Sequence, residues 1–236
     1  MRLLINVNQL PPQCDTTGLT LVNVHWHPTV DHWTQDLPTS RRFVIEAFSN
    51  EVKARAFMGP LFLDIEPPAL SGVWGKRAHH WLNIHADAIQ RTREVLPGRE
   101  VFAMDPVIGN DPQQATENIT AAESMLRMLD GVSVSFYPKG DNTFEARNAP
   151  TLDALFRLRD AKSTSNRRLQ VGIAINDMAG GVQCSLDTFR ESIEYGKSRG
   201  VDFIIFWQAV RYYGGEVGAA SRIQPFIECF REAATP

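Results

Sequence analysis

The sequence predicts a single (β/α) barrel domain that spans residues 1–236. Short β-rich runs alternate with segments of helical period, polar side chains recur at the ends of the predicted strands, and no linker separates two domains. A chain of 236 residues of which 43% are hydrophobic is long enough to bury one substantial core. We therefore expect seven or eight parallel strands joined by crossover helices.

Apolar and β-branched runs bounded by turn residues mark the strands. The predicted strands are Leu3 to Val7, Leu19 to Trp26, Leu61 to Ile65, Glu100 to Met104, Val132 to Phe136, Gln170 to Ile175 and Phe203 to Trp207. The predicted helices are 40–56, 77–95, 112–129, 150–162, 185–199 and 218–233. Ser40, Asp111-Pro112 and Ser185 supply cap residues at three helix starts. Segments 14–20, 28–39 and 139–149 are predicted loops.

The polar strand ends favour a barrel over an open sheet. We expect one alternating face to collect Asn6, Asn8, Asn23, His25, His27, Asp64, Glu66, Asp105, Ser133, Ser135, Tyr137 and Asn176. In a parallel barrel the outward face is apolar because helices cover it, and inward side chains near the carboxyl ends line the active-site mouth. A doubly wound sheet would show continuous apolar strands, and no Gly-x-Gly-x-x-Gly follows the first strand.

The segment from Pro60 to Pro68 ends in two carboxylates. Because successive side chains of a strand point to opposite faces, Asp64 and Glu66 share one face. Like charges a few ångströms apart raise the pKa of one carboxyl and keep it protonated near neutral pH. A protonated carboxyl is what a general acid requires, so this strand end predicts acid catalysis.

Asp64-Ile65-Glu66, Tyr137 and Trp207 together resemble the TIM-like barrel glycosidases that act on N-acetylated sugars. In the chitinase and hyaluronidase families an Asp-x-Glu pair closes a central strand, a tyrosine lies on a later strand and a tryptophan closes the last. The family 25 lysozymes are similar, with an Asp-x-Glu at this place and a Trp-Gln near the end, here Trp207-Gln208. The resemblance covers strand ends from about residue 60 to residue 208.

The resemblance implies a glycoside hydrolase that cleaves a polysaccharide or oligosaccharide containing N-acetylated amino sugars. Glu66 would protonate the leaving oxygen, while Asp64 would raise the pKa of Glu66 and, with Tyr137, orient the acetamido group of the sugar. Asp105 is a further catalytic candidate, as the second carboxylate of a conventional retaining or inverting pair. The candidates for substrate binding are Trp207, Gln208, Asn176, Asp177, His25, Asn6 and Trp74. No cofactor or metal is implied.

Two other functions stay open. His25-Trp26-His27, with carboxylates such as Asp64 and Asp105, has the spacing of the first ligands of a metal-dependent, amidohydrolase-like barrel. A glycosidase-like barrel without catalysis could instead serve as a carbohydrate-binding protein. The identity of the sugar, its linkage and the oligomeric state are left open by the sequence.

Composition excludes several classes of partner. With 24 basic and 27 acidic residues and a net charge of -3, the chain lacks the basic field that nucleic acid selects. No apolar run approaches the ~20 residues of a membrane span, and the first residues do not resemble a secretory signal. Cys14, Cys184 and Cys229 are odd in number and far apart, as expected of reduced thiols. We expect a soluble protein that is cytoplasmic or released from the cell.

Overall fold

Seven parallel strands form a closed barrel in the computed structural model, which describes residues 1–6, 10–26, 59–64, 83, 86–106, 111–136, 143–161, 168–179, 182–207 and 218–233. The strands are β1 (Arg2–Asn6), β2 (Thr20–Trp26), β3 (Leu61–Asp64), β4 (Val101–Met104), β5 (Gly131–Ser135), β6 (Gln170–Ile175) and β9 (Phe203–Phe206). Each neighbours the next in chain order, and β9 pairs with both β6 and β1 to close the ring. The predicted barrel and its seven strands are confirmed.

Five helical segments are described around the barrel. They are α1 at residues 86–95, α2 (Pro112–Leu126), α3 (Thr143–Asp160), α4 (Leu186–Ser198) and α5 (Ala219–Glu232). The predicted caps are confirmed at α2, where the Asp111 carboxylate accepts from the N–H of Gln114 at 2.9 Å, and at α4, where the Ser185 hydroxyl accepts from the N–H of Thr188 at 3.1 Å. The predicted helix 40–56, with Ser40, and the predicted loop 28–39 lie outside the described residues.

The predicted start of the helix near residue 150 is wrong. Helix α3 begins at Thr143, inside the segment 139–149 that was expected to be a loop, and Pro150 lies within it. Proline usually interrupts a helix because it has no N–H to donate. Buried Asn148, Thr151, Leu152 and Leu155 follow the i, i+3, i+4, i+7 pattern of a packed helical face, so tertiary packing carries the helix through the proline.

Two short strands were not predicted. Strands β7 (Met178–Ala179) and β8 (Val182–Gln183) pair antiparallel as a small hairpin between β6 and α4. With two residues in each strand, the hairpin is too short to show the alternation from which strands are predicted. It adds a wall beside the carboxyl end of β6.

Three phenylalanines fill the inner face of the barrel. The ring centroids of Phe62 and Phe102 are 4.9 Å apart, and those of Phe102 and Phe203 are 5.1 Å apart. All three side chains are fully buried. Leu4, Val22, Met104, Ala174 and Ile205 complete this inner cluster. Because these three residues lie near the amino ends of their strands, their rings form an apolar floor below the carboxyl ends of the strands.

The amino end of the barrel is closed by a polar network. The Arg2 guanidinium makes two hydrogen bonds of 2.9 Å to the carboxylate of Glu100 and a third, of 3.3 Å, to the side-chain oxygen of Gln170. Asp130 and Asp202, which precede β5 and β9, each accept at 2.9 Å from an N–H group near the start of the neighbouring strand, that of Val101 in β4 and that of Val171 in β6. Carboxylates therefore continue the strand pairing where the backbone ladder stops.

Among the described residues no helix is both long and apolar enough to cross a membrane.

The close contact between Gly172 and the Phe203 ring gives a test of this packing. A methyl group at residue 172 would lie 2.5 Å from Cδ2 and 2.6 Å from Cζ of Phe203. We expect Gly172→Ala to lower the free energy of unfolding by about 1–3 kcal/mol, because the ring is enclosed and cannot move aside. In urea unfolding, the double variant with Phe203→Leu should lose less than the sum of the two single losses. Additive losses would contradict this packing.

Candidate active site

The carboxyl ends of the strands bring several predicted site residues to one mouth of the barrel. Asn6 ends β1, Asp64 ends β3, Asp105 follows β4, Ser135 ends β5 and Trp207 follows β9. In parallel barrels this end carries the functional residues, because the loops after each strand converge there. The candidate active site therefore lies at this mouth of the barrel.

Asp64 lies on the inner face of the barrel, at the mouth. It is two residues beyond Phe62, which belongs to the inner cluster, and in the β2–β3 register it pairs with Trp26. Only 3% of Asp64 is exposed. A carboxylate is costly to bury unless charge or hydrogen bonds compensate it, so its presence above an aromatic floor marks a specialised position.

Asp105 has an unusual backbone and a firmly held side chain. Its φ of 45° makes it the one non-glycine residue with positive φ among the described residues. Its N–H donates to the carbonyl of Ser133 at 2.9 Å. Its carboxylate accepts from both donors of Ser135: from the N–H at 2.8 Å and from the hydroxyl in a very short contact. Asp105 thus faces β5 and is tied to it at three points.

Asn148 is a residue of this site that the sequence did not indicate. From helix α3 its side-chain amide donates to the carbonyl of Ser135, and only 6% of the residue is exposed. Its polar side chain interrupts an otherwise packed helical stripe. That signal would have identified it had the helix been predicted to extend back to Thr143.

Asn6 and Trp207 lie near each other in the barrel order, on neighbouring strands. Asn6 is buried at the end of β1, and half-buried Trp207 packs against the inner apolar cluster. The N–H of Trp207 donates to the carbonyl of Ile175 at 2.7 Å, which extends the β6–β9 pairing to the mouth. A partly exposed indole at the top of the apolar floor can present a flat surface to a ring-shaped ligand.

Asn176 and Asp177 begin the hairpin beside β6. The Asn176 side-chain oxygen accepts from the N–H of Met178 at 3.0 Å, a local turn that starts β7. Asp177 is completely buried, and its carboxylate accepts from the amide of Gln183 at 3.3 Å. Both predicted substrate-binding residues therefore also have structural roles in shaping the hairpin.

The expected polar row is wrong on β2. Val22 belongs to the inner cluster, so Asn23, one residue later, lies on the opposite face. His25 pairs in register with Leu63, which belongs to the outer core. The predicted polar row put Asn23 and His25 on the inner face, whereas Val22 occupies that face, so the prediction was wrong by one residue. A shift of one residue moves every side chain of a strand to the other face.

Several predicted site residues lie outside the described residues. They are Glu66, Tyr137, Gln208, Trp74 and His27, together with the side chain of His25. Within the residues that are described, no three His, Cys, Asp or Glu side chains gather as a metal site would require. The roles given to the residues outside that part of the chain stay predictions.

A second concavity lies at the opposite, amino end of the barrel. It has a volume of about 290 Å³ and is lined by Gly98, Arg99, Glu100, Asp130, Arg168 and Gln170. Its carboxylates are already engaged, Glu100 with Arg2 and Asp130 with Arg93 and the N–H of Val101. These groups hold the barrel together, so the mouth at the carboxyl ends is the better candidate for chemistry.

Comparison with known structures shows that the chain shares its fold with barrel glycosidases. Bee venom hyaluronidase, solved with a hyaluronic acid tetramer, superposes with a TM-score of 0.59 at 11% identity, over 86% of this chain and 77% of that one. The PgaB (BpsB) glycoside hydrolase domain from Bordetella bronchiseptica gives 0.55 at 13% identity, over 92% and 75%. The chain has the fold of these glycoside hydrolases. A GH18 chitinase from Pseudoalteromonas aurantia gives 0.48 at 11% identity, over 89% and 77%. No family model and no curated protein matches the sequence.

The three thiols are all free, and their environment predicts low reactivity. Burial, and next the charge of Asp177, raises the pKa of Cys184 from 9.0 to about 11. Burial also raises the pKa of Cys14 and Cys229. At pH 8 Cys184 should react with iodoacetamide roughly a hundredfold more slowly than an unperturbed thiol, because the thiolate is the reactive form.

The rate for Cys184 should rise about tenfold per pH unit until the pH approaches its pKa, a generic thiolate relation. Asp177→Asn should accelerate the reaction only in part, since burial is the larger cause. Mass-spectrometric mapping of the labelled peptides distinguishes the three sites, and urea-unfolded protein is the control. Rapid labelling of Cys184 in the native protein at pH 8 would contradict this environment.

Proposed function

We propose that the protein is a glycoside hydrolase that cleaves a glycan containing N-acetylated amino sugars, with Glu66 as the general acid. One observation carries the proposal: Asp64 is buried on the inner face at the carboxyl end of β3, two residues before Glu66, within a barrel whose fold is shared with a hyaluronidase and a glycoside hydrolase domain. This position supports a catalytic strand end of the kind that barrels use.

Asp64 supports the acid chemistry through its charge. An ionised carboxylate held in a low-dielectric site raises the pKa of a neighbouring carboxyl, because a second negative charge there is unfavourable. Glu66 would then keep its proton at neutral pH and deliver it to the glycosidic oxygen as the bond breaks. No cofactor is needed, since the proton and the attacking group both come from the enzyme and its substrate.

The proposed substrate follows from the second role of Asp64. In substrate-assisted hydrolysis the acetamido oxygen of the sugar attacks the anomeric carbon, and nearby groups orient that acetamide. Asp64 and Tyr137 are the candidates for this role. Trp207 supports the same substrate class, because its half-buried ring above the apolar floor suits stacking against a pyranose. The hyaluronidase that shares the fold was solved with a hyaluronic acid tetramer.

Replacing the proposed acid tests the function directly. Glu66→Gln should lower kcat by a factor of about 10²–10⁴ with little change in the affinity for oligosaccharide, because glutamine keeps the shape but has no proton to give. Chitin, hyaluronan and peptidoglycan fragments are suitable substrates, with anomeric analysis of the products. Glu117→Gln, on the exposed face of α2, is the matched control. Unchanged turnover in Glu66→Gln would remove Glu66 from catalysis.

Neutralising Asp64 should change the pH dependence of turnover. A general acid acts in its protonated form, so activity falls as pH rises through its pKa. In Asp64→Asn the negative charge that raises the pKa of Glu66 is gone, and the basic limb of the kcat profile should move to lower pH. The acetamide would also lose an orienting group, so kcat at the optimum should fall. A basic limb that stays in place would show that Asp64 does not act on Glu66 through its charge.

A further inference from the structure

Ser135, the last residue of β5, is held on three sides. Its N–H and its hydroxyl both donate to the carboxylate of Asp105, and its carbonyl accepts from the side chain of Asn148. Asp105 follows β4 and lies 30 residues before Ser135 in the chain, while Asn148 belongs to α3 and lies 13 residues after Ser135. A strand end that is bound in this way has one conformation.

Asp105 takes the place of backbone pairing at this point. Strand β4 ends at Met104, so the N–H of Ser135 has no strand residue opposite to receive it, and the Asp105 carboxylate accepts it at 2.8 Å. On the other side, the N–H of the next residue, Phe136, donates to the carbonyl of Ala174 in β6 at 2.6 Å. The end of β5 is thus fixed to both neighbouring strands.

The backbone of Asp105 adopts an uncommon conformation at this strand end. A φ of 45° places Asp105 in the left-handed region, which is unfavourable for residues with a Cβ and clusters at functional sites. Its N–H bond to the carbonyl of Ser133 holds it there. In this conformation the Asp105 carboxylate accepts from the N–H and the hydroxyl of Ser135.

We infer that Asp105, Ser135 and Asn148 form a clamp that fixes the end of β5, the strand that precedes Tyr137 in the chain. Asp105 is then a positioning residue of the proposed glycosidase and not its nucleophile. A nucleophilic carboxylate has to present an oxygen to the anomeric carbon, whereas both oxygens of Asp105 accept from one residue of β5. This inference rests on the proposed function, in which Tyr137 orients the acetamido group.

The clamp is tested by Asp105→Asn, Ser135→Ala and the double variant. Each single variant should lower kcat on an N-acetylated oligosaccharide by roughly 10–100-fold, and the double variant should lose no more than the larger single loss, as expected of residues that act as a unit. A loss above about 10⁴-fold in Asp105→Ala that azide restores would identify a nucleophile and overturn the inference. Additive losses in the double variant would also overturn it.

Two control variants separate positioning from general stability. Asp130→Asn removes a carboxylate that accepts a strand N–H at the opposite end of the barrel, and Ser192→Ala removes a hydroxyl that donates within α4. Asp130→Asn should lower the free energy of unfolding, and both should leave kcat within about twofold of the original protein. If Asp130→Asn lowered kcat as much as Asp105→Asn, the Asp105 effect would be one of stability alone.

A measurement that does not depend on turnover completes the test. In protein labelled with 3-fluorotyrosine, the ¹⁹F signal of Tyr137, assigned by its loss in Tyr137→Phe, should shift in Asp105→Asn and Ser135→Ala but not in Asp130→Asn. An unmoved signal would overturn the clamp even in an active enzyme. A shifted signal in a protein that cleaves none of the glycans would confirm the clamp and refute the proposed hydrolysis.

Discussion

Closure of seven parallel strands is the constraint on which the rest of the structure depends. A closed ring has an inner face that side chains must fill, and here three phenylalanines fill it low in the strands, with Gly131 and Gly172 leaving space for their rings. Polar side chains lie at both ends of the barrel, on either side of this apolar floor. At the amino end the Arg2 guanidinium binds the Glu100 carboxylate, and at the carboxyl end Asp64 and its neighbours form the mouth.

At three places among the described strands, an aspartate side chain accepts a strand N–H group where the backbone hydrogen-bond ladder ends. Asp130 and Asp202 accept strand N–H groups at the amino end, and Asp105 does the same for β5 at the mouth. Because a carboxylate accepts strongly from an N–H group, each of these residues substitutes for a missing carbonyl. The two ends of the barrel use the same interaction: at the amino end these aspartates join neighbouring strands, and at the mouth Asp105 fixes the end of β5.

The seven strands and two of the helix caps were predictable because they depend on local pattern. The apolar runs of β3 and β6, and Asp111 followed by Pro112, are determined by residues close in sequence. The start of α3 was not, because Pro150 is a strong local signal that the burial of Asn148 and Leu152 overrides. Nor was the face of β2: Asn23 reads as part of a polar row, yet the pairing of β2 with its neighbours turns Val22 inward.

By itself, the sequence determined that this chain is an alternating (β/α) barrel with Asp64 at the carboxyl end of a strand. The periodicity of the strands and the residue types at their ends depend on residues that are close in sequence, so both can be recognised without knowing which elements pack together. Only the tertiary structure decided which residue the Asp105 carboxylate contacts. The sequence offered Asp105 as a further catalytic candidate, whereas in the structure the closed ring sets Ser135 beside it and α3 brings Asn148 to the same strand end. Such contacts join residues far apart in the chain, and only barrel closure brings them within hydrogen-bonding distance.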